Sequence, residues 1–181
     1  HKADIYEGGH RVPFIVQWPE RISGAQTSEQ IICTTDFMAT VADILGQKMP
    51  ENAGEDSFSF LKVLNGAMQA EVRPSVIHHS IDGRFAIRKD KWKLIAWPGS
   101  GGWTAPRSAK ELAGLPEMQL FDLSKDPSEQ SNLISDYPEL ALSLKNEMIS
   151  LIKNGRSTQG PKLSNDGPEI WDQVKWAYDQ E

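Results

Sequence analysis

The sequence predicts an α+β chain: a strand and a helix, followed by a small antiparallel four-stranded sheet packed by a C-terminal helix. Three observations predict it. Four short β-rich runs separated by tight turns lie between residues 74 and 123. An apolar stripe at helical spacing follows, Leu140, Leu144, Met148, Leu151 and Ile152. Upstream, Val12 to Trp18 is short, apolar and β-branched, and Pro19 stops it, which reads as a buried strand.

The first twenty residues place charge next to that strand. Lys2 and Arg11 are fixed cations, and Gly8 and Gly9 let the backbone come close to a ligand or another strand. Glu7 and Arg11 are expected to pair across the Gly-Gly turn and orient the loop, with Tyr6 a packed aromatic. Gln30 to Cys33 reads as a further short strand. Thr34 or Thr35 then caps a helix with Asp36 in its first turn, where the dipole favours an anion. Phe37, Val41, Ile44 and Leu45 form its apolar face, expected to pack on the sheet that receives Val12 to Trp18, and Gly46 closes it. Phe58 to Leu64 makes a short helix ending at Asn65-Gly66, and residues 67 to 75 read as a linker.

The β-rich runs are Pro74 to Ser80, Phe85 to Arg88, Trp92 to Trp97 and Met118 to Leu123. Lys89-Asp90 is a tight turn, and the stretch from Pro98 to Pro116 reads as a loop insertion. Connections this short make an antiparallel meander. Asp136 with Glu139 three residues on forms a capping box for the striped helix, which ends at Gly155. Arg156 to Gly167 is loop-like, and Pro168 to Tyr178 is expected to be a last helix with Ile170, Trp171, Val174 and Tyr178 on one face.

The 181 residues carry a net charge of −6, which argues against nucleic acid as the main partner. There is no apolar run of the ~18 residues that a membrane helix needs. Cys33 is the sole cysteine, so no internal disulfide can form, and it reads as a small buried apolar residue. Four histidines invite a metal reading, but no metal site is expected. His78 and His79 are neighbours on a strand and point to opposite faces, so one packs and the other can face a cleft.

Lys2-x-x-x-Tyr6-Glu7-Gly8-Gly9-x-Arg11-Val12-Pro13 followed by Trp18-Pro19 resembles the late active-site segment of type I sulfatases, the arylsulfatase family of the alkaline phosphatase superfamily. Thr34 to Gly46 resembles the family's next helix, with Ala39 where proline is usual. Glu55-Asp56-Ser57-Phe58-Ser59 stands where the family has Asp-Gly-x-Ser, with Ser57 replacing glycine. Phe85-Ala86-Ile87-Arg88, Trp92-Lys93-Leu94-Ile95 and Leu120-Phe121-Asp122-Leu123 followed by Asp126-Pro127 are similar to the family's small subdomain. The likeness covers about residues 1 to 153 and implies three parts: residues 1–66 closing the large α/β catalytic domain, 67–155 the small subdomain, and 156–181 a tail.

The resemblance implies that Lys2 is catalytic and contacts the sulfate. It implies that His78 or His79 touches the leaving-group side, and that Glu7, Gly8, Gly9 and Arg11 build the loop. For the parent it implies a formylglycine nucleophile, calcium, and a sulfated small molecule or glycan as substrate. Cys33 lacks the Pro and Arg that formylglycine formation requires, and no calcium-ligand cluster is found. The chain is therefore expected to be the C-terminal portion of a sulfatase, inactive without an N-terminal catalytic domain. A periplasmic or secreted parent suits the family. Two alternatives stand beside it: a phosphonate or phosphodiester hydrolase of the same superfamily, and a freestanding glycan-binding module using Trp92, Trp97 and Trp103.

Overall fold

A computed structural model describes residues 1–179. In chain order the elements are α1 (Glu7–His10), α2 (Asp36–Ile44), α3 (Leu61–Leu64), β1 (Val76–His79), β2 (Phe85–Lys89), β3 (Trp92–Ile95), α4 (Ala109–Leu112), β4 (Gln119–Asp122) and α5 (Pro138–Asn154), with a 3-10 helix at Asp172–Ala177. Contacts divide the chain into two units. One joins His1–Val12 to Ile77–Lys153 and the segment from Asn165; the other is Pro13–Val76 with Asn154–Ser164.

The first unit is built on the expected sheet, in the order β1-β2-β3-β4, with β2–β3 and β3–β4 antiparallel. Strand alternation gives it two apolar faces. Ile87, Leu94 and Leu120 meet Ala141, Leu144 and Met148 of α5. Ala86, Ile95 and Phe121 meet Ile5, from the stretch just before α1. Burying Ile5 completely contributes about 1.5–3 kcal/mol to holding that stretch down. The amino-terminal segment thus belongs with the small sheet and covers the face that α5 does not.

Several local expectations need correcting within this unit. The long helix starts at Pro138, two residues past Asp136, because proline's fixed φ and missing N–H suit the first helical position. Its end is as read, with Gly155 at φ +66. The Pro98–Pro116 loop contains α4, capped reciprocally by Ser108 and Glu111. The last helix is the 3-10 turn, and it buries Val174 and Ala177 while Trp171 stays exposed.

The second unit holds α2 and α3. Val12 to Trp18 is extended but forms no strand, and neither does Gln30 to Cys33. Strands need ladder partners, and neither stretch pairs with β1 to β4, the only strands among the described residues. Ile15 is 90% exposed. The expected apolar face of α2 is likewise open, with Phe37 60% and Leu45 65% exposed; Asp36, Ala39 and Thr40 are buried instead.

Polar bonds hold α2 in place. The Asp36 carboxylate accepts from the backbone N–H of Cys33 and of Phe58 and from the buried Arg73 guanidinium. The Ala39 N–H donates to Ser57 Oγ at 2.8 Å, and that hydroxyl donates to the Thr35 carbonyl at 2.7 Å. Proline at 39 would lack the donor and glycine at 57 the acceptor, so the two departures from the sulfatase pattern answer each other. No helix among the described residues is long and apolar enough to cross a membrane.

Candidate functional site

The site grows from the segment that Ile5 anchors. The Ile5 N–H donates to the Ser100 carbonyl at 2.8 Å, and the Ile81 N–H to the Ala3 carbonyl at 2.9 Å. These bonds stitch residues 3–5 between two loops at one end of the sheet. Asp4, buried, accepts at Oδ1 from the N–H of Trp103 at 2.7 Å and of Thr104 at 3.1 Å, and at Oδ2 from the Thr104 hydroxyl. Burial raises its pKa, but these hydrogen bonds outweigh it and hold the carboxyl below the usual carboxylate range. Gly9 lies against the Asp4 carbonyl, where a Cβ would collide; Gly8 has open space. Close approach is thus required at one of the two glycines.

Glu7 does not pair with Arg11 as expected. Arg11 is exposed and makes no ion pair with Glu7; its backbone N–H closes α1 on the Glu7 carbonyl. The Glu7 carboxylate turns inward to Lys93 Nζ at 3.2 Å and Arg88 at 3.4 Å. Arg88 and Lys93 are directly opposite across β2 and β3. Like charges in that position repel, and Glu7 lies where it can neutralise both. Lys93 is 0% exposed, and it also reaches Glu129 Oε1 at 2.8 Å, a coulombic contact outside hydrogen-bond alignment. Glu129 in turn accepts the Glu7 N–H at 2.5 Å, from a backbone at φ +55. Desolvation raises its pKa in spite of Lys93.

His10 and His78 meet beside this network in a tilted contact, ring centroids 3.8 Å apart and planes inclined by 49°. Desolvation first, then the Lys93 charge, lowers His10 to about 4 and His78 to about 2, so both are neutral. Glu7, His10 and His78 lie close enough to share a metal, but Lys93 Nζ is already 3.2 Å from Glu7 and 3.5 Å from His10. An ammonium stands where the cation would go.

Strand alternation separates the two neighbouring histidines. His78 turns into the packed network, its Nε2 buried without a partner, while His79 is exposed. His79 lines a cleft of about 300 Å³ together with Lys2, Ala3, Ser80, Ile81 and Trp103. Lys2 and His79 therefore share one opening; His78, Glu7 and Arg11 lie outside it.

The sequence reading missed Lys93, Glu129 and Asp4. Lys93 carried a readable signal: it alternates with Ile95 in an apolar strand, so it shares that residue's inward face. Glu129 and Asp4 sit in turns with no periodicity to reveal burial.

A family model described as N-sulphoglucosamine sulphohydrolase, C-terminal, matches residues 1–154. The chain is 33% identical over 155 residues to the N-acetylgalactosamine-6-O-sulfatase of Bacteroides thetaiotaomicron, covering 84% of this chain and 29% of that protein. It is 30% identical over 186 aligned positions to the ulvan-active sulfatase of Formosa agariphila, covering 90% and 36%. A solved Bacteroides thetaiotaomicron structure, from work on metabolism of multiple glycosaminoglycans, matches at TM-score 0.69 and 31% identity, over 82% of this chain and 30% of that one. The chain thus spans roughly a third of the length of the relatives it matches.

Proposed function

Because this chain belongs to the N-sulphoglucosamine sulphohydrolase C-terminal family of sulfatases, we propose that the protein carrying it hydrolyses sulfate monoesters of carbohydrates, and that this chain supplies one edge of the site. The observation that carries the reading is the shared cleft of Lys2 and His79. Lys2 is a compact, freely hydrated cation at the rim, suited to the oxygens of a tetrahedral anion. In the proposed role it holds the sulfuryl group and offsets the charge that develops as the S–O bond breaks. His79 stands on the leaving-group side, where an imidazole can hydrogen-bond a sugar hydroxyl.

The two groups that the family resemblance implies do not fit residues of this chain. Cys33 is followed by Thr34-Thr35, without the required Pro and Arg, and its N–H is tied to Asp36. The Glu7, His10 and His78 cluster offers one carboxylate and two imidazoles around an ammonium, whereas calcium takes a shell of oxygens. In this reading the nucleophile and the calcium ligands come from outside the chain.

The direct test is sulfate release from 6-O-sulfated N-acetylgalactosamine by the protein carrying this chain. Turnover is expected, with kcat/KM well above that for a phosphodiester; the reverse preference overturns the reading. The isolated chain is expected to release none even with calcium added, and turnover by it would refute the one-edge assignment. His79→Ala should raise KM for the sulfated sugar by about three- to tenfold with kcat little changed, the pattern of a lost uniform binding contact. An unchanged KM removes His79 from the site.

A further inference from the structure

We propose that Trp103 is the sugar-binding wall of the Lys2 cleft, a fixed aromatic platform on which the pyranose ring bearing the sulfate stacks. This deepens the sulfatase reading and rests on it.

The ring is 50% exposed and lines the same opening as Lys2 and His79. Its backbone is held from several directions. Trp103 and Thr104 donate their N–H groups to the buried Asp4, and the Gly102 N–H donates to Ser100 Oγ at 3.2 Å. Gly102 has no room for a side chain: a Cβ would stand 2.5 Å from the Ala3 carbonyl oxygen and 2.6 Å from Asp4 Oδ1. The Asp82 N–H fastens Gly101 from the other side at 3.2 Å.

A half-exposed indole on a backbone this constrained leaves only its two side-chain torsions to be ordered on binding. Ile81, also exposed, adds apolar surface to the cleft. The chemistry then divides. Lys2 addresses an anion and His79 a hydroxyl, while the indole and Ile81 address the C–H face of a ring. A sulfated pyranose has all three features, with the sulfate projecting from one edge of an otherwise apolar face. Lys2 and Trp103 hang from the same short segment, one by covalent connection and the other through Asp4, so the distance between anion site and ring platform is set by residues 2–4.

The test uses the protein carrying this chain with Trp103→Ala and Trp103→Tyr. For the sulfated sugar named above, KM is expected to rise about tenfold in Trp103→Ala and to stay within about threefold of wild type in Trp103→Tyr, which keeps a flat ring. The inhibition constant of inorganic sulfate, which has no ring to stack, should stay within about twofold in both. An unchanged KM in Trp103→Ala overturns the proposal. So does a parallel rise in the sulfate inhibition constant, which would mean that Trp103 acts through the shape of the site. If wild type releases no sulfate from any ester, the sulfatase reading itself has failed. The same comparison is then made by calorimetric binding of the sulfated sugar: affinity lost in Trp103→Ala and kept in Trp103→Tyr supports the platform, while equal binding by all three, or none by wild type, overturns it.

Discussion

Replacing Lys2 by alanine in the protein that carries this chain is expected to lower kcat on a sulfate ester by about 10²–10³, the usual loss when one preorganised donor to a developing oxyanion is removed. Lys2 is exposed, at the rim of the cleft, and no ion pair among the described residues depends on its side chain. Its loss should therefore leave the fold intact, so that missing activity reports on the site alone. If its contact strengthens only as the S–O bond breaks, kcat and kcat/KM fall together; if it merely holds the ground state, KM rises and kcat is spared. Steady-state kinetics separate these cases. A kcat within about threefold of wild type would remove Lys2 from the chemistry.

Lys93→Met is the second large effect, and it acts on stability. Methionine keeps most of the side-chain volume, so a cavity contributes little. What is lost is the cation between Glu7 at 3.2 Å and Glu129 at 2.8 Å, in a fully buried position. Breaking a buried pair by removing one partner typically costs about 3–5 kcal/mol, because the remaining charge is stranded. Native-state hydrogen exchange at the amides of β2 and β3 would measure it as lost protection.

The loss should also depend on pH, with a definite sign. Glu129 already has a raised folded pKa, from desolvation, and removing Lys93 raises it further. A carboxyl with a raised folded pKa binds its proton more tightly folded than unfolded, so it favours the fold below that pKa and disfavours it above. His10 and His78 lie below their ordinary pKa in part because of Lys93, so without it the folded state takes up their protons more readily as pH falls. Both terms act in the same direction. The deficit of Lys93→Met relative to wild type is expected to shrink between pH 8 and pH 5. A pH-independent deficit, or one below about 1 kcal/mol, would show that the network does not hold the segment to the sheet.

The same network shows where sequence reading ends. The four strands were legible because each alternates or runs apolar between turn residues, and the connections after β1 and β2 are too short for anything but antiparallel pairing; the long β3–β4 connection, which holds α4, left that pairing to the fold. The α5 stripe was legible because Leu144 and Met148 lie in the buried core and Leu140, Leu151 and Ile152 pack against it. Val12 to Trp18 read equally well as a strand and is not one here. Periodicity reports which side chains could be buried, whereas a strand also needs a neighbour with unpaired backbone groups. The apolar residues of α2 stay open because nothing among the described residues covers them, and polar bonds from Asp36 and Ser57 position that helix instead.

Taken alone, the sequence determined the elements of the sheet, the helix that covers it and the family, and it named Lys2 with either His78 or His79 as residues to watch. Those depend on local pattern and on motif, which are written along the chain. The partners were decided only in three dimensions. Glu7 turned from its near neighbour Arg11 to Lys93, 86 positions away, and Asp4 reached Thr104, 100 positions away. A buried charge must be neutralised by whatever the fold brings within a few ångströms, and that distance is set by the packing of Ile5 on the sheet rather than by separation along the chain.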